Sequence, residues 1–272
     1  MNVKNLKKLA TDVRKSTLST IYQAGSGHPL GSLSSVEIFV SLYFEVARND
    51  PKNPNWDKRD RIFVSHGHTA PALYSVMAKR GYFAESKLST YCKLGSGLQG
   101  HPERNKLPGI EITSGSLGMG SGQAVGYLLA SKLDKKDFKV FVVTSDGEHD
   151  EGSHWESVAL ASKYKLSNLI QIIDRNGIQI NGPTEKVLPL SPLKKKYESF
   201  GWKVFETDGN NFKKLIPILK KAKREKTKPS VVIAKTIAGK GVSFMEREAG
   251  WHAKAPNEKE YEKAVRELGN RD

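Results

Sequence analysis

Two apolar runs in the middle of this chain each end in an oxygen-bearing side chain beside a glycine, and that pairing constrains the chain more than any other feature. The first is Val140-Phe141-Val142-Val143-Thr144-Ser145-Asp146-Gly147-Glu148, and the second is Leu169-Ile170-Gln171-Ile172-Ile173-Asp174-Arg175-Asn176-Gly177. Short apolar runs bounded by turn residues read as buried strands, which places both polar groups at strand tips. Asp146 offers an anionic oxygen and Asn176 a neutral amide oxygen, and the turn after Asn176 can present a main-chain carbonyl, that of Ile178. Mg²⁺ demands near-octahedral oxygen ligands and is usually shared between a few protein oxygens and ligand phosphates. The pair can therefore grip a divalent cation against a diphosphate. Gly147 lets the backbone approach a phosphate, and a helix expected to begin near Ser153 offers unpaired N–H groups. Taken alone, an Asp-Gly and an Asn-Gly more often only form turns.

Strands and helices alternate around this pair. Segments 61–65, 139–145, 168–174, 202–206 and 230–236 read as strands, and 34–44, 71–80, 153–164 and 211–224 as helices. Val3, Leu6, Leu9 and Val13 recur at helical spacing, so an amphipathic helix opens the chain. Alternation of this kind, with strands mostly apolar throughout, predicts an α/β fold: a mostly parallel sheet with helices on both faces. Ligands of such sheets bind at the carboxyl ends of the strands, where Asp146 and Asn176 fall. The 272 residues read as a single domain over 1–272 without internal repeats. Gly118, Gly122 and Gly126 recur every four residues and would leave one bare helix face, open to tight helix packing or to a ligand. The glycine-rich stretch 94–113 reads as a long ligand-shaping loop.

Composition narrows the class. No apolar run approaches the roughly 20 residues of a membrane span, and the N-terminus lacks the apolar region of a secretory signal. The expectation is a soluble, cytoplasmic protein. Cys92 is the single cysteine, which excludes an intrachain disulfide and suits a reducing compartment. It is expected to be a small buried or inert residue, not a nucleophile. The net charge of +15 suits nucleic acid, anionic substrates or an acidic partner. Much of the excess lies in 194–196 and 220–228, which read as solvated helix faces because no nucleic-acid recognition motif or aromatic interleaving accompanies them.

Histidine placement adds weight to a ligand site. Of seven histidines, His28, His66, His68 and His101 sit in glycine- or proline-flanked loops, His252 follows Gly250-Trp251, and His149 and His154 bracket the Asp146 loop. Imidazoles gathered at one sheet edge can donate to phosphate and sugar hydroxyls or move protons near neutral pH. Any one of them alone is as readily a surface or packing residue.

In chain order, Gly27-His28-Pro29, Asp60-Arg61-Ile62-Phe63-Val64-Ser65-His66-Gly67-His68, Gly100-His101-Pro102-Glu103, Thr113-Ser114-Gly115-Ser116-Leu117-Gly118, and Asp146-Gly147-Glu148 through Asn176-Gly177 resemble the motif set of transketolases. The resemblance covers nearly the whole chain. With Ala238-Gly239-Lys240-Gly241-Val242-Ser243-Phe244 and Gly250-Trp251-His252 near its end, the chain resembles more narrowly the N-terminal subunit of a split transketolase. The resemblance implies a thiamine diphosphate-binding fold of the diphosphate-binding kind, with Mg²⁺, Ca²⁺ or Mn²⁺ as the ion. It implies that Asp146, Asn176 and the Ile178 carbonyl ligate the metal, and that Gly115, Leu117, Gly147, His68, Asn176 and His252 contact the cofactor. His28 and His101 match positions that bind donor hydroxyls and assist proton transfers. The implied catalytic set is His28, His68, His101, His252 and Glu151, with Glu151 and Glu156 matching acids that link the cofactor sites of a dimer.

The implied reaction transfers a two-carbon ketol unit from a ketose phosphate to an aldose phosphate, as in the pentose phosphate pathway. A glutamate that protonates the cofactor's aminopyrimidine ring belongs to the family's next domain, before which this sequence stops. The resemblance therefore implies a half-site completed by a separate C-terminal transketolase subunit, with two copies of each chain. A deoxyxylulose-phosphate synthase-like subunit or a specialised sugar transketolase is the alternative within the same cofactor class. A binding module that has lost catalysis is the rival from another class, and retention of Asp146, Asn176, His28, His68, His101 and His252 argues against it. Ser145, Leu30, His66 and Ala253 depart from the family's usual residues, which bears on substrate identity more than on cofactor binding.

Overall fold

The computed structural model describes residues 1–269. Asn2 caps α1 (Val3–Ala24) by accepting the Asn5 N–H at 2.8 Å, and Gly25 closes it in the left-handed conformation. α2 (Pro29–Ser34) and α3 (Val36–Ser41) follow almost without a break, and one π-helical turn, Leu42–Val46, ends the run. Next come β1 (Arg61–Val64), α4 (Ala70–Arg80), α5 (Met119–Leu133), β2 (Val140–Ser145), α6 (Gly152–Lys163) and β3 (Leu169–Arg175). A small hairpin of β4 (Ile178–Gln179) and β5 (Gly182–Pro183) leads to α7 (Thr184–Val187) and α8 (Leu193–Ser199). The chain then forms β6 (Lys203–Asp208), α9 (Phe212–Lys223), β7 (Ser230–Lys235) and α10 (Glu258–Gly269).

The five long strands form one parallel sheet in the order β1-β2-β3-β7-β6. Successive side chains along a strand point to opposite faces, so an apolar strand must be covered twice. Phe141, Val143, Ile170, Ile172 and Val232 pack into the layer of α1, α3, α4 and α9. Val140, Val142, Leu169, Ile173 and Val231 pack on the other face, against α5, α6 and α8. The expected sheet with helices on both faces is thus present. β6 differs from the expectation of apolar strands: it is an edge strand with exposed Lys203, Glu206 and Asp208, and charge on a free edge discourages pairing with another chain. Among the described residues no helix is long and apolar enough to cross a membrane.

Several boundaries differ from the sequence expectation for identifiable reasons. The helix expected at 34–44 starts earlier, because Pro29 at its first position pre-sets φ and needs no N–H partner. α8 and α10 escape the apolar pattern because each buries only two side chains, Leu193 and Tyr197 in one and Ala264 and Leu268 in the other. Lys223, inside a run read as solvated, instead binds the buried Asp60 at 2.7 Å and the Val46 carbonyl at 2.7 Å. Cys92 is exposed, with a left-handed φ of 57°, so the burial offered as one of its two expected states does not hold.

One buried ion pair fastens α1 to α3. Arg14 Nη2 lies 2.7 Å from Glu37 Oε2, and Arg14 also donates to the Lys240 carbonyl at 2.9 Å and the Leu33 carbonyl at 3.2 Å. Asn210 donates to the same Glu37 oxygen at 2.8 Å. Removing one partner strands the other charge, so Glu37→Ala is expected to lower stability by about 3–5 kcal/mol. In chemical denaturation the double variant Arg14→Met/Glu37→Leu should recover part of that loss. A Glu37→Ala midpoint equal to wild type would contradict this account.

Candidate functional site

The register Ser145↔Asp174 brings the tips of β2 and β3 side by side. Asp146 leaves β2 as the cap of a 3₁₀ turn, Gly147–Asp150, and α6 begins only at Gly152. The first N–H groups beyond Asp146 therefore belong to that turn, and the expected contribution of a helix starting at Ser153 comes one element later. Asp146 is fully buried, and its Oδ1 accepts the Gly147 N–H at 3.0 Å. Its Oδ2 accepts the Gly177 N–H at 2.6 Å and Arg175 Nη1 at 3.2 Å. The peptide after Asn176 thus touches the Asp146 carboxylate directly. Asn176 Oδ1 accepts the Ile178 N–H at 2.9 Å.

Burial pushes the Asp146 carboxyl up to about 7, against the lowering effect of Arg175 and the two N–H groups. A carboxylate raised this far is short of compensating positive charge, which is what a divalent cation supplies. Among the described residues no group of three or more His, Cys, Asp or Glu side chains is placed to hold a metal. An ion held by Asp146, Asn176 and the Ile178 carbonyl would fill its sphere with ligand oxygens, as Mg²⁺ on a diphosphate does. Gln179 Nε2 is a buried donor without a partner, and Gln179 lines the adjoining cavity. An unpaired donor there suits an anionic ligand. The residues present fit both groups.

The cavity, about 370 Å³, collects most of the residues singled out in the sequence: His28, His68, His101 and His252, together with Gly115, Leu117, Gly147, Glu151, Asn176 and Ile178. The His28 ring centroid lies 5.3 Å from His68, 6.2 Å from His101 and 5.7 Å from His252. Gly31 makes room for this cluster, since a Cβ there would stand 3.1 Å from His68 Nε2. Burial lowers His28 to about 4, with His252 and His101 adding to the effect, and drives His68 well below its usual range. Burial also lowers His101 and His252. At neutral pH the cluster is uncharged, each ring offering one donor and one acceptor. No Lys or Arg is among the described residues lining the cavity.

The other three histidines lie outside the cavity lining. His66 is buried behind it, with Nδ1 on the Val143 carbonyl at 3.0 Å and Nε2 3.2 Å from Ser35 Oγ. His149 and His154 belong to a buried network around Tyr197. His149 Nδ1 faces the Ser145 carbonyl at 2.9 Å, which only accepts, so His149 Nε2 must accept the Tyr197 O–H at 2.9 Å. The Tyr197 oxygen then accepts from Gln171 Nε2 at 2.7 Å and His154 Nε2 at 2.8 Å, leaving His154 Nδ1 to accept the Ser121 O–H at 3.3 Å. One set of tautomers satisfies each of these bonds to Tyr197 and Ser121, and it ties the tip of β2 to α5, α6 and α8.

Sequence reasoning passed over two buried acids. Glu148 accepts Ser65 O–H, the Gly118 N–H at 2.7 Å and the Ser145 N–H at 3.3 Å, and burial raises it to about 7. Asp174 gathers hydroxyls from Ser34, Ser35 and Thr236. Both stand in the two motifs already singled out, and a carboxylate inside an apolar strand is the signal that could have marked Asp174. The glycine series resolves mainly as packing. A Cβ at Gly118 would stand 2.7 Å from Glu151 Cβ and one at Gly122 3.1 Å from Ser157 Oγ, while Gly126 faces open space.

Comparison with known proteins agrees with this geometry. Residues 5–272 match the family described as transketolase, thiamine diphosphate binding domain. The chain is 39% identical over 271 residues to one of the subunits of apulose-4-phosphate transketolase from Phocaeicola vulgatus, covering 100% of this chain and 96% of that protein. It is 40% identical over 264 residues to a 6-deoxy-6-sulfo-D-fructose transketolase subunit of Clostridium sp., covering 97% and 96%. A transketolase from Campylobacter jejuni superposes with a TM-score of 0.92 at 32% identity, over 99% of this chain but 43% of that one. The chain spans nearly all of the subunit relatives and under half of that solved transketolase.

Two expected outcomes follow from the buried site. All seven histidines are held low, chiefly by burial. Their contribution to stability is complete above the unfolded value of about 6.5 and is lost as pH falls toward 4, because only the unfolded chain then takes up those protons. Asp146 and Glu148, both raised to about 7, act oppositely, contributing stability that is fully present near pH 4 and lost as pH rises to about 7. The histidines outnumber the acids, so the thermal midpoint without added metal should fall from pH 7 to pH 4, and a rise would contradict the assignment. Tyr197→Phe leaves buried groups unpaired and should cost about 1–3 kcal/mol in urea unfolding.

Proposed function

We propose that this chain, which belongs to the transketolase thiamine diphosphate-binding family, is the cofactor-holding half of a two-subunit transketolase. With a C-terminal transketolase subunit it transfers a two-carbon ketol unit from a ketose phosphate to an aldose phosphate. One observation carries this reading: His28, His68, His101 and His252 converge on a single cavity beside the touching tips of β2 and β3.

In this reading Asp146, Asn176 and the Ile178 carbonyl hold Mg²⁺, for which Ca²⁺ or Mn²⁺ can substitute. Gly147, Gly115, Leu117, His68 and His252 bound the cofactor, and Gln179 Nε2 supplies a donor to its diphosphate. Bound thiamine diphosphate supplies the electron sink for carbon–carbon cleavage. The chain's own residues bind, orient and move protons. His28 and His101, neutral through burial, accept a proton from a sugar hydroxyl at one nitrogen while donating a hydrogen bond from the other. Glu151 and Glu156 are exposed on this chain, as acids that link cofactor sites across an interface must be.

The partner follows from what the cavity lacks. No cation is among its described lining residues, so the anionic tail of a sugar phosphate needs positive charge from another chain. Relatives named as transketolase subunits match along 96% of their length. Two copies of each chain and a cytoplasmic location, suited to the single unpaired Cys92, complete the proposal. A second reading, a transketolase specialised for one sugar outside the pentose phosphate pathway, is favoured by Leu30. That side chain lines the cavity and is anchored among Leu18, Leu33 and Val242, which narrows the donor end.

Reconstitution tests the proposal. The purified chain is expected to show no ketol transfer alone and to gain it on addition of the C-terminal subunit; turnover by the isolated chain would overturn the half-site. Pyruvate consumption in place of ketol transfer would point to a synthase. In the assembled pair His101→Ala should lower kcat/KM for the ketose donor by about 10²–10⁴-fold, the usual worth of a positioned acid–base group. Calorimetry with thiamine diphosphate and Mg²⁺ should show Asp146→Ala abolishing metal-dependent binding, and unchanged affinity would refute the ligand assignment.

A further inference from the structure

We propose that Arg175 is the ion-selecting residue of this site: it confines Asp146 to a one-oxygen grip and so makes the site prefer Mg²⁺ over Ca²⁺. The inference rests on the metal role of Asp146 proposed above. Arg175 is the last residue of β3, and its guanidinium bridges three groups. Nη1 stands 3.2 Å from Asp146 Oδ2 and 3.0 Å from Thr184 Oγ1, and Nη2 pairs with Glu185. Thr184 is itself buried, and its N–H donates to the Gly177 carbonyl at 3.0 Å. The guanidinium is therefore held from α7 as well as from the carboxylate.

Lone-pair accounting gives the consequence. An ionised carboxylate has about four acceptor positions. The Gly147 N–H occupies one on Oδ1, and the Gly177 N–H and Arg175 occupy both on Oδ2. One position remains, on Oδ1. Mg²⁺ takes octahedral ligands at about 2.0–2.1 Å and is content with single oxygens, whereas Ca²⁺ takes 6–8 oxygens at about 2.3–2.6 Å and often draws both oxygens of a carboxylate. Arg175 denies the larger ion that second oxygen. Its positive charge weakens both dications alike, so the signature of the proposed role is the ratio of the two affinities, not either affinity alone. Loosening of the β4–β5 hairpin would move both affinities together and leave the ratio unchanged.

The test titrates Mg²⁺ and Ca²⁺ calorimetrically, at saturating thiamine diphosphate, into the chain assembled with its C-terminal subunit. Arg175→Met should shift the Mg²⁺/Ca²⁺ preference toward Ca²⁺ by about tenfold or more, the size of one charge-assisted contact. Arg175→Lys keeps the charge without the planar fork, should give an intermediate ratio, and tests the same point if the methionine variant does not fold. Wild-type ratios in the variants overturn the inference and leave the proposed function standing. Absence of any ion-dependent cofactor binding in the wild-type assembly overturns both.

Discussion

The site depends on a single costly placement, a carboxylate removed from water at the meeting point of two parallel strands. Asp146 is fully buried, and the Gly177 N–H that reaches it at 2.6 Å comes from the neighbouring strand tip. That contact exists because β2 and β3 are adjacent and in register, which in turn follows from apolar side chains on both faces of each strand. Arg175, the β4–β5 hairpin and the 3₁₀ turn after Asp146 are all arranged around it. A buried anion of this kind is tolerated only when donors and countercharge are in place, and here the protein supplies most but not all of them.

Charge is distributed along the strand axis in a way that suits such a site. At the carboxyl ends of the strands the lining carries no positive charge, because burial keeps the four imidazoles unprotonated and no Lys or Arg is among the described lining residues. At the amino ends, Arg48 and Lys223 pair with the buried Asp60, which also accepts the Lys139 main-chain N–H. Positive charge in the cleft is thereby left to the ion and to whatever chain closes it. An uncharged histidine cluster can exchange hydrogen bonds with neutral hydroxyls without drawing phosphate into the wrong end of the cavity.

Much of this was legible in the sequence because the relevant signals are short and local. The strand-tip pair, the continuous apolar strands and the loop histidines are each written within a few residues, and the structure brings His28, His68, His101 and His252 together on one cavity. What stayed hidden depends on distant partners. Arg175 looks like one more basic residue until Thr184, Glu185 and Asp146 are seen around it. His149 and His154 read as site residues because they flank Asp146, yet their bonds run to Tyr197, far along the chain and one layer beneath. α10 carries only two buried side chains among many charges, so its pattern falls below what periodicity can detect.

The Tyr197 network has an evolutionary corollary. Its hydroxyl holds one donor and two acceptor roles toward side chains from α6, β3 and the 3₁₀ turn, and each imidazole has its tautomer dictated by the next. A smaller or apolar replacement at that position would strand polar atoms on several elements at once. Homologous chains should therefore change His149, His154, Gln171 and Tyr197 as a linked set, inheriting either the whole polar relay or an oily substitute for it.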